Sequence, residues 1–185
     1  MASMTARTFQ PQIAHGIQAE MRHAARLLAC TLAPLAAFGF ANFLAESANV
    51  VPQFFSPLEM PGWGGAIIHL ALLACVGLAY GLLRGGTQTV RGTRFWVAGF
   101  AAALVAFPFL AGPMDAFSLA ASATVVTLVG IAATVRASQV SPLAGVLLAP
   151  ALIWMGLAAA LGLAIASAWT PPFALVTAQQ ASLPA

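Results

Sequence analysis

The most constraining feature of this sequence is a long stretch without a single charged side chain, from Ser141 to Ala166. A helix rises about 1.5 Å per residue, so this stretch is long enough to cross a bilayer whose hydrocarbon core is about 30 Å thick. The whole chain of 185 residues is 61% hydrophobic and only 6% charged. A soluble domain of this size needs a far more charged surface. The sequence therefore predicts an all-α membrane protein.

Turn and charge signals divide the apolar sequence into a bundle of five predicted transmembrane helices. The predicted spans cover residues 24–45, 63–83, 95–112, 116–135 and 143–169. Residues 1–22 are predicted to form an N-terminal cytoplasmic tail, and residues 170–185 a C-terminal tail. Prolines and glycines mark several of the turns between spans.

The distribution of arginine supports this division. The chain has 7 basic residues and 4 acidic ones, and every basic residue is an arginine. If the N-terminus is cytoplasmic, five crossings place all the arginines on the cytoplasmic side, while Glu46, Glu59 and Asp115 lie on the other. Cytoplasmic loops are enriched in Arg and Lys. We therefore expect a multi-pass protein of a bacterial inner membrane, with its N-terminus cytoplasmic and its C-terminus periplasmic.

Several functional classes find no support in the residues. Nucleic-acid binding would need a basic stripe with interleaved aromatics or a known motif, and neither is present. No carboxylate lies within a predicted span, and no nucleophile–base pair, metal cluster or phosphate loop is recognisable. We predict no enzyme activity, no catalytic residues and no metal site. Cys30 and Cys75 lie in apolar runs and are predicted to be packing residues.

His69 is the one strongly titratable side chain inside a predicted span, and such a residue is a candidate functional residue by default. Three roles are open. Its ring can be buried and hydrogen-bonded to a neighbouring helix, it can form part of a pocket wall, or it can ligate the metal of a haem or chlorophyll.

Aromatic residues supply the other candidate contacts for a ligand. Trp63 and Trp154 can stack on a flat macrocycle, although Trp63 can equally anchor a helix start at the interface and Trp154 can simply pack in the bundle. Phe54 and Phe55 lie in the longest loop, residues 46–62, which is rich in proline. This loop is predicted either to cap a binding site at the mouth of the bundle or to anchor in the headgroups.

Small residues recur at a spacing of four, which allows helices to approach closely. The pairs are Gly77 and Gly81 in the second span and Gly99 and Ala103 in the third. In the fifth span the series is Ala158, Gly162 and Ala166.

Motifs in the last four spans resemble the TspO/MBR family, the tryptophan-rich sensory proteins related to the mitochondrial translocator protein. The segment Ser141-Pro-Leu-Ala-Gly-Val-Leu-Leu-Ala-Pro150, with Trp154 after it, is similar to the last helix of that family. Pro61-Gly62-Trp63 matches the family's Pro-x-Trp at the start of the second helix, and Gly77 follows at the family's spacing. Phe107-Pro108-Phe109-Leu110-Ala111-Gly112 keeps the proline and glycine of the third helix.

The chain also departs from the family pattern, so it resembles a divergent member. His69 stands where the family has a second tryptophan, and Ala66-Ile67 replaces a Gly-Pro. Ala103 and Ala106 replace an Asn and a Trp of the third helix, and Gly162 replaces an Asn of the fifth. In the family these positions line a pocket for porphyrins and lipophilic molecules.

The resemblance implies a TspO-like bundle that binds a hydrophobic small molecule in a sensory or transport-related role. The candidate ligands are a tetrapyrrole, a sterol-like molecule and a carotenoid, of which the tetrapyrrole and the carotenoid are also the cofactor candidates. The predicted ligand-binding residues are Phe54, Phe55, Trp63, His69 and Trp154. Gly99 and Ala103 are predicted to form a homodimer interface, as the third helix does in the family. The alternative is a structural accessory subunit of a larger photosynthetic or respiratory membrane complex.

Overall fold

The computed structural model describes residues 6–57 and 60–169, with side chains placed from residue 18 to residue 167 within those ranges. It contains five helices: α1 (Ala6–Ser47), α2 (Gly62–Leu82), α3 (Gln88–Ala111), α4 (Ala116–Val140) and α5 (Pro142–Trp169). All five are long and apolar enough to cross a membrane. The predicted five-helix membrane fold is therefore confirmed. The C-terminal tail and residues 1–5 lie outside the described residues.

The first helix is much longer than its predicted span. It runs for 42 residues without a break, which is about 63 Å at about 1.5 Å per residue. A span of about 20 residues is enough for the bilayer, so α1 is about twice as long as a crossing requires. Most of the segment predicted as a tail is therefore a helical extension of α1.

The third helix begins at Gln88, seven residues before the predicted start of the span at Phe95. The Thr87 side chain accepts a hydrogen bond from the Val90 N–H at 3.4 Å, as an N-cap residue does. Most of the basic loop predicted between the second and third spans thus forms the first turns of α3. The loop that remains covers residues 83–87.

The helices form a ring in the order α1, α2, α5, α4 and α3. The contact between α4 and α5 is the most extensive, and the contact that closes the ring between α3 and α1 is among the slightest. The helix with the largest buried share is α2, which touches α1, α3 and α5. Fully buried side chains of α2, α3 and α5, including Leu73, Phe100 and Leu148, form the core.

Helices approach each other most closely at glycines, which have no side chain to keep the backbones apart. A Cβ atom at Gly77 would collide with the carbonyl oxygen of Cys30 and lie 2.9 Å from the Pro34 ring of α1. A Cβ at Gly162 would lie 3.2 Å from the Ala120 Cβ of α4. The small-residue series predicted in the second and fifth spans therefore pack within the bundle.

Candidate functional site

The loop between α1 and α2 turns inward and lies over one end of the bundle. After α1 ends, Asn49 adopts a left-handed conformation with φ of 56°, and the chain then reverses towards α3. The Gln53 N–H donates to the carbonyl oxygen of Pro108 at 2.7 Å, which pins the loop to α3. A Cβ at Gly65 would lie 2.7 Å from the carbonyl oxygen of Phe55, so the loop also rests directly on the backbone of α2. Only glycine permits this contact.

A cavity of about 460 Å³ lies beneath this loop. Its walls come from the loop, the last turns of α3, the start of α4 and the later part of α5, and they include Phe54, Phe55, Ser56, Phe107, Ala158 and Gly162. Ligand sites in proteins have volumes of about 300–1,000 Å³ and mostly apolar walls with a few polar groups. The cavity has the size and the chemistry of a site for a small hydrophobic molecule.

The hydroxyl of Ser56 is the polar group of most interest in the cavity wall. Its oxygen is buried, and no protein atom in the described part of the chain hydrogen-bonds to it. A buried polar atom without a partner is unfavourable by about 1–3 kcal/mol. The hydroxyl lies against the α2 backbone at Gly65, where a Cβ would meet it at 2.5 Å.

His69 lies behind the loop in a cluster of aromatic rings. It is 5% exposed, and its ring centroid is 5.7 Å from that of Phe54 and 5.7 Å from that of Phe38 in α1. Its Nε2–H donates to the carbonyl oxygen of Leu104 in α3 at 3.1 Å. Of the three roles open from the sequence, the geometry is that of a buried histidine bonded to a neighbouring helix. It contacts a ring of the cavity wall but does not itself line the cavity.

Trp154 supports the other phenyl ring of the loop. The ring centroids of Phe55 and Trp154 are 5.3 Å apart with the planes at 74°, an edge-to-face arrangement. Such pairs contribute about 0.5–1.5 kcal/mol beyond their buried area. Four of the predicted binding residues, Phe54, Phe55, His69 and Trp154, thus form one connected group in which two line the cavity and two hold them.

Trp63 does not join this group. Its side chain is 69% exposed and does not line the cavity. Two residues along a helix correspond to a rotation of about 200°, so Trp63 points away from Gly65, which faces the loop. This exposed position at a helix start is that of an interfacial anchor.

The predicted interface residues of α3 lie on its outer side. Gly99 is exposed, and no atom lies within 4 Å of the position that a Cβ would occupy. Ala103, one turn further on, is half-buried. The outer surface of α3 is therefore open to another helix at these positions.

Four residues at or near the cavity were not predicted from the sequence: Phe38, Ser56, Phe107 and Phe109. The Phe38 ring lies 5.3 Å from that of Phe109 and 6.0 Å from that of Phe54, so it joins α1 to α3 and the loop. The signal for Phe107 and Phe109 was present, because they flank the proline of the matched third-helix motif. No local pattern predicted the role of Ser56, which depends on the path of the loop.

The described residues contain no group of three or more His, Cys, Asp and Glu side chains that can hold a metal ion. The Nε2 atom of His69 carries the proton that it donates to Leu104, so only Nδ1 of that ring has a lone pair for a metal. Both cysteines are free thiols.

The fold is that of a multi-pass membrane protein with five helices long and apolar enough to cross a membrane, and a cavity of about 460 Å³ lies beneath its inward-turned loop. The sequence profile of the TspO/MBR family matches residues 30–171. The chain therefore belongs to the TspO/MBR family, as its motifs predicted, and the match extends into α1. Neither the curated proteins nor the solved structures include a significant match to the chain.

Proposed function

We propose that this protein binds a hydrophobic ligand in the cavity beneath the loop between α1 and α2. The observation that carries the proposal is the cavity of about 460 Å³ with the phenyl rings of Phe54, Phe55 and Phe107 on its walls. Members of the TspO/MBR family are generally binding or transport-related proteins. We accordingly assign a sensory or transport-related role and no catalytic one.

The ligand classes that fit are a tetrapyrrole, a sterol-like molecule and a carotenoid. Each offers a large apolar surface to Phe54, Phe55 and Phe107. In this proposal His69 and Trp154 hold the two loop rings in position.

The proposed setting is the inner membrane of a bacterium, with the arginine-bearing ends of the helices in the cytoplasm. The segregation of arginine supports this orientation. The cavity then lies at the periplasmic end, because the last turn of α1 before the covering loop carries Glu46 and the turn before α4 carries Asp115.

A titration with protoporphyrin IX tests the proposal. The purified protein in mild detergent should bind the porphyrin with a shifted Soret band and quenched tryptophan fluorescence. Ala158→Leu places a larger side chain in the cavity and should weaken binding at least tenfold. Ala160→Leu, on an exposed position of the same helix, is the matched control and should bind as the wild type does.

Parallel titrations with a sterol and a carotenoid identify the ligand class. Equal effects of Ala158→Leu and Ala160→Leu on every ligand that binds would show that the cavity is not the site. Absence of binding for all three classes would contradict the proposed function.

The second candidate function is that of an accessory subunit in a larger photosynthetic or respiratory complex. The outer surface of α3 favours it, because Gly99 is an exposed small residue with open space beside it, to which another helix can dock closely. The same surface serves a homodimer in which Gly99 and Ala103 meet. Gentle extraction from the native membrane separates the two, since a subunit elutes with partners in fixed stoichiometry and a homodimer elutes alone.

A further inference from the structure

A second cavity, distinct from the one beneath the loop, opens sideways between α1 and α3. It has a volume of about 530 Å³ and is floored by Val76, Gly77 and Tyr80 of α2. Its sides are made mainly of alanines, among them Ala33 of α1 and Ala102 of α3, which are both exposed. We call this cavity the α1–α3 groove.

The groove is a consequence of small side chains on two helices that barely touch. The α1–α3 contact is one of the slightest in the ring, and the residues facing the gap are too short to fill it. On α1 the lining runs from Ala29 to Ala37 and on α3 from Val97 to Val105, which is about 12 Å along each helix. A channel of this shape with apolar walls suits an extended hydrocarbon chain lying parallel to the helices.

An arginine lies about one helical turn beyond the same end of the groove on each of the three helices. Arg26 precedes Ala29 in α1, Arg94 precedes Val97 in α3, and Arg84 follows Tyr80 just after the end of α2. The groove therefore ends below a cluster of positive charge, which we call the arginine collar.

The contacts of the arginine collar do not neutralise its charge. The guanidinium of Arg94 lies 4.7 Å above the ring of Tyr80, and that of Arg26 donates to the carbonyl oxygen of Leu83 at 3.4 Å. Arg84 donates to Nδ1 of His23. These partners are two rings and a carbonyl, and none of the three is an acidic side chain. The acid at this end, Glu20, is exposed and lies further along α1.

Arg94 also retains an unused donor. Its Nε atom is buried and has no hydrogen-bond partner in the described part of the chain. Tyr80, on which Arg94 stacks, is itself part of the groove wall. The unpaired donor thus lies next to the charged end of the apolar channel.

We propose that the α1–α3 groove binds one anionic phospholipid, with an acyl chain in the groove and its phosphate on the arginine collar. Basic pockets between transmembrane helices bind anionic lipid headgroups in this way. A phosphate accepts charge-assisted hydrogen bonds from guanidinium groups. The bound lipid would complete the closure of the ring between α1 and α3.

Native mass spectrometry of the delipidated full chain in a neutral detergent tests this proposal. The probes are phosphatidylglycerol and phosphatidylcholine with identical acyl chains. We expect one phosphatidylglycerol per chain to bind at least fivefold more tightly than phosphatidylcholine. Arg94→Gln should weaken phosphatidylglycerol about fivefold, and Arg26→Gln combined with it about 25-fold.

Matched variants test the place of binding. Ala33→Leu fills the groove and should abolish the tight site, whereas Ala36→Leu, an exposed position of α1 outside the groove, should leave it intact. Arg136→Gln removes an arginine that stacks at 5.3 Å on Trp96 at the α3–α4 contact, and it should not alter the affinity. Ala158→Leu fills the other cavity and should also leave lipid binding unchanged, so failure of one proposal is distinguishable from failure of the other.

Three outcomes would overturn the proposal. The first is equal affinity for the two lipids, and the second is equal affinity in Ala33→Leu and Ala36→Leu. The third is a dimer of the wild type that Ala33→Leu dissociates, since the groove would then be occupied by a second copy of the chain.

Discussion

His69 donates a hydrogen bond to the backbone carbonyl of Leu104, which has no backbone donor because residue 108 is a proline. In an uninterrupted helix the carbonyl of Leu104 would accept from the N–H of residue 108, four positions later, but proline has no N–H. The Nε2–H of His69 donates to this carbonyl at 3.1 Å instead. The histidine of α2 therefore repairs the break that the proline makes in α3, and this gives a physical reason for an ionisable ring inside the bundle.

The first prediction concerns this pair. His69→Ala should lower the free energy of unfolding by about 1–3 kcal/mol, because it leaves the buried Leu104 carbonyl unpaired. In a Pro108→Ala background the alanine restores a backbone N–H that can reach that carbonyl, and the cost of His69→Ala should be clearly smaller. A double-mutant cycle measured by unfolding in mixed micelles checks this. The same cost in both backgrounds would contradict the relationship.

The second prediction compares two glycines. Gly77→Ala should destabilise the protein by about 1–3 kcal/mol, because its Cβ would meet the Cys30 carbonyl and the Pro34 ring of α1. Gly99→Ala should leave stability unchanged or raise it by up to about 1 kcal/mol, since its Cβ would enter open space and alanine is the better helix former. Unfolding of both variants in the same detergent mixture provides the comparison. Equal losses would show that α1 does not pack on Gly77.

The third prediction is a dependence of stability on pH at the start of α4. The Asp115 carboxylate accepts a hydrogen bond from the Ser118 N–H at 2.7 Å. Hydrogen bonding from the backbone and the side chain of Ser118 holds the pKa of Asp115 below its usual value of 3.8. A lowered folded-state pKa means that the stabilisation is complete above about pH 3.8 and is lost as pH falls further.

The variant for this third test is Asp115→Asn, which keeps a capping side chain but cannot titrate. Thermal unfolding should show a smaller loss of stability in this variant than in the wild type when the pH is lowered from 5 to 3. Asp115→Ala should be less stable than both at neutral pH. Identical pH profiles for the wild type and Asp115→Asn would refute the assignment.

The fourth prediction uses the contact between Phe55 and Trp154. In a variant with the other tryptophans replaced by phenylalanine, Phe55→Ala should shift the fluorescence of Trp154 to longer wavelength, because removal of the ring 5.3 Å away admits water from the cavity. Phe43→Ala, at an exposed position of α1, is the control and should leave the emission unchanged. An unchanged spectrum in Phe55→Ala would mean that the loop does not rest on α5.

Much of the fold is predictable because the membrane imposes length, hydrophobicity and charge segregation on the spans. The helix α3 begins earlier than predicted, because the arginines in its first turns are typical of a loop. Thr87, which caps the helix, is the residue that marks its true start. The orphaned carbonyl of Leu104 can be deduced from Pro108 alone. The helix that provides the replacement donor cannot be deduced from the sequence, because it depends on how α2 and α3 are packed.

Only some of the aromatic residues at or near the cavity were predicted from the sequence, since Phe38, Phe107 and Phe109 were not among them. Phe54, Phe55 and Trp154 came from composition and from the matched motifs. The Trp63 side chain points away from the cavity because Gly65, on the opposite side of α2, faces the loop. This could not be predicted from the sequence, because it depends on the loop folding inward over the bundle. The position of Ser56 at the cavity wall also depends on the path of the loop.

The backbone contact between Gly162 and Ala120 limits how the cavity can change. A Cβ at Gly162 would already press on α4 at 3.2 Å, so position 162 cannot accept a larger residue without separating α4 from α5. The loop and α3 sides carry phenyl rings, which substitution can shorten without a clash. Ligand preference can therefore change more easily through replacement of the phenylalanines by smaller residues than through a larger residue at position 162. Such replacements enlarge the cavity and favour larger ligands.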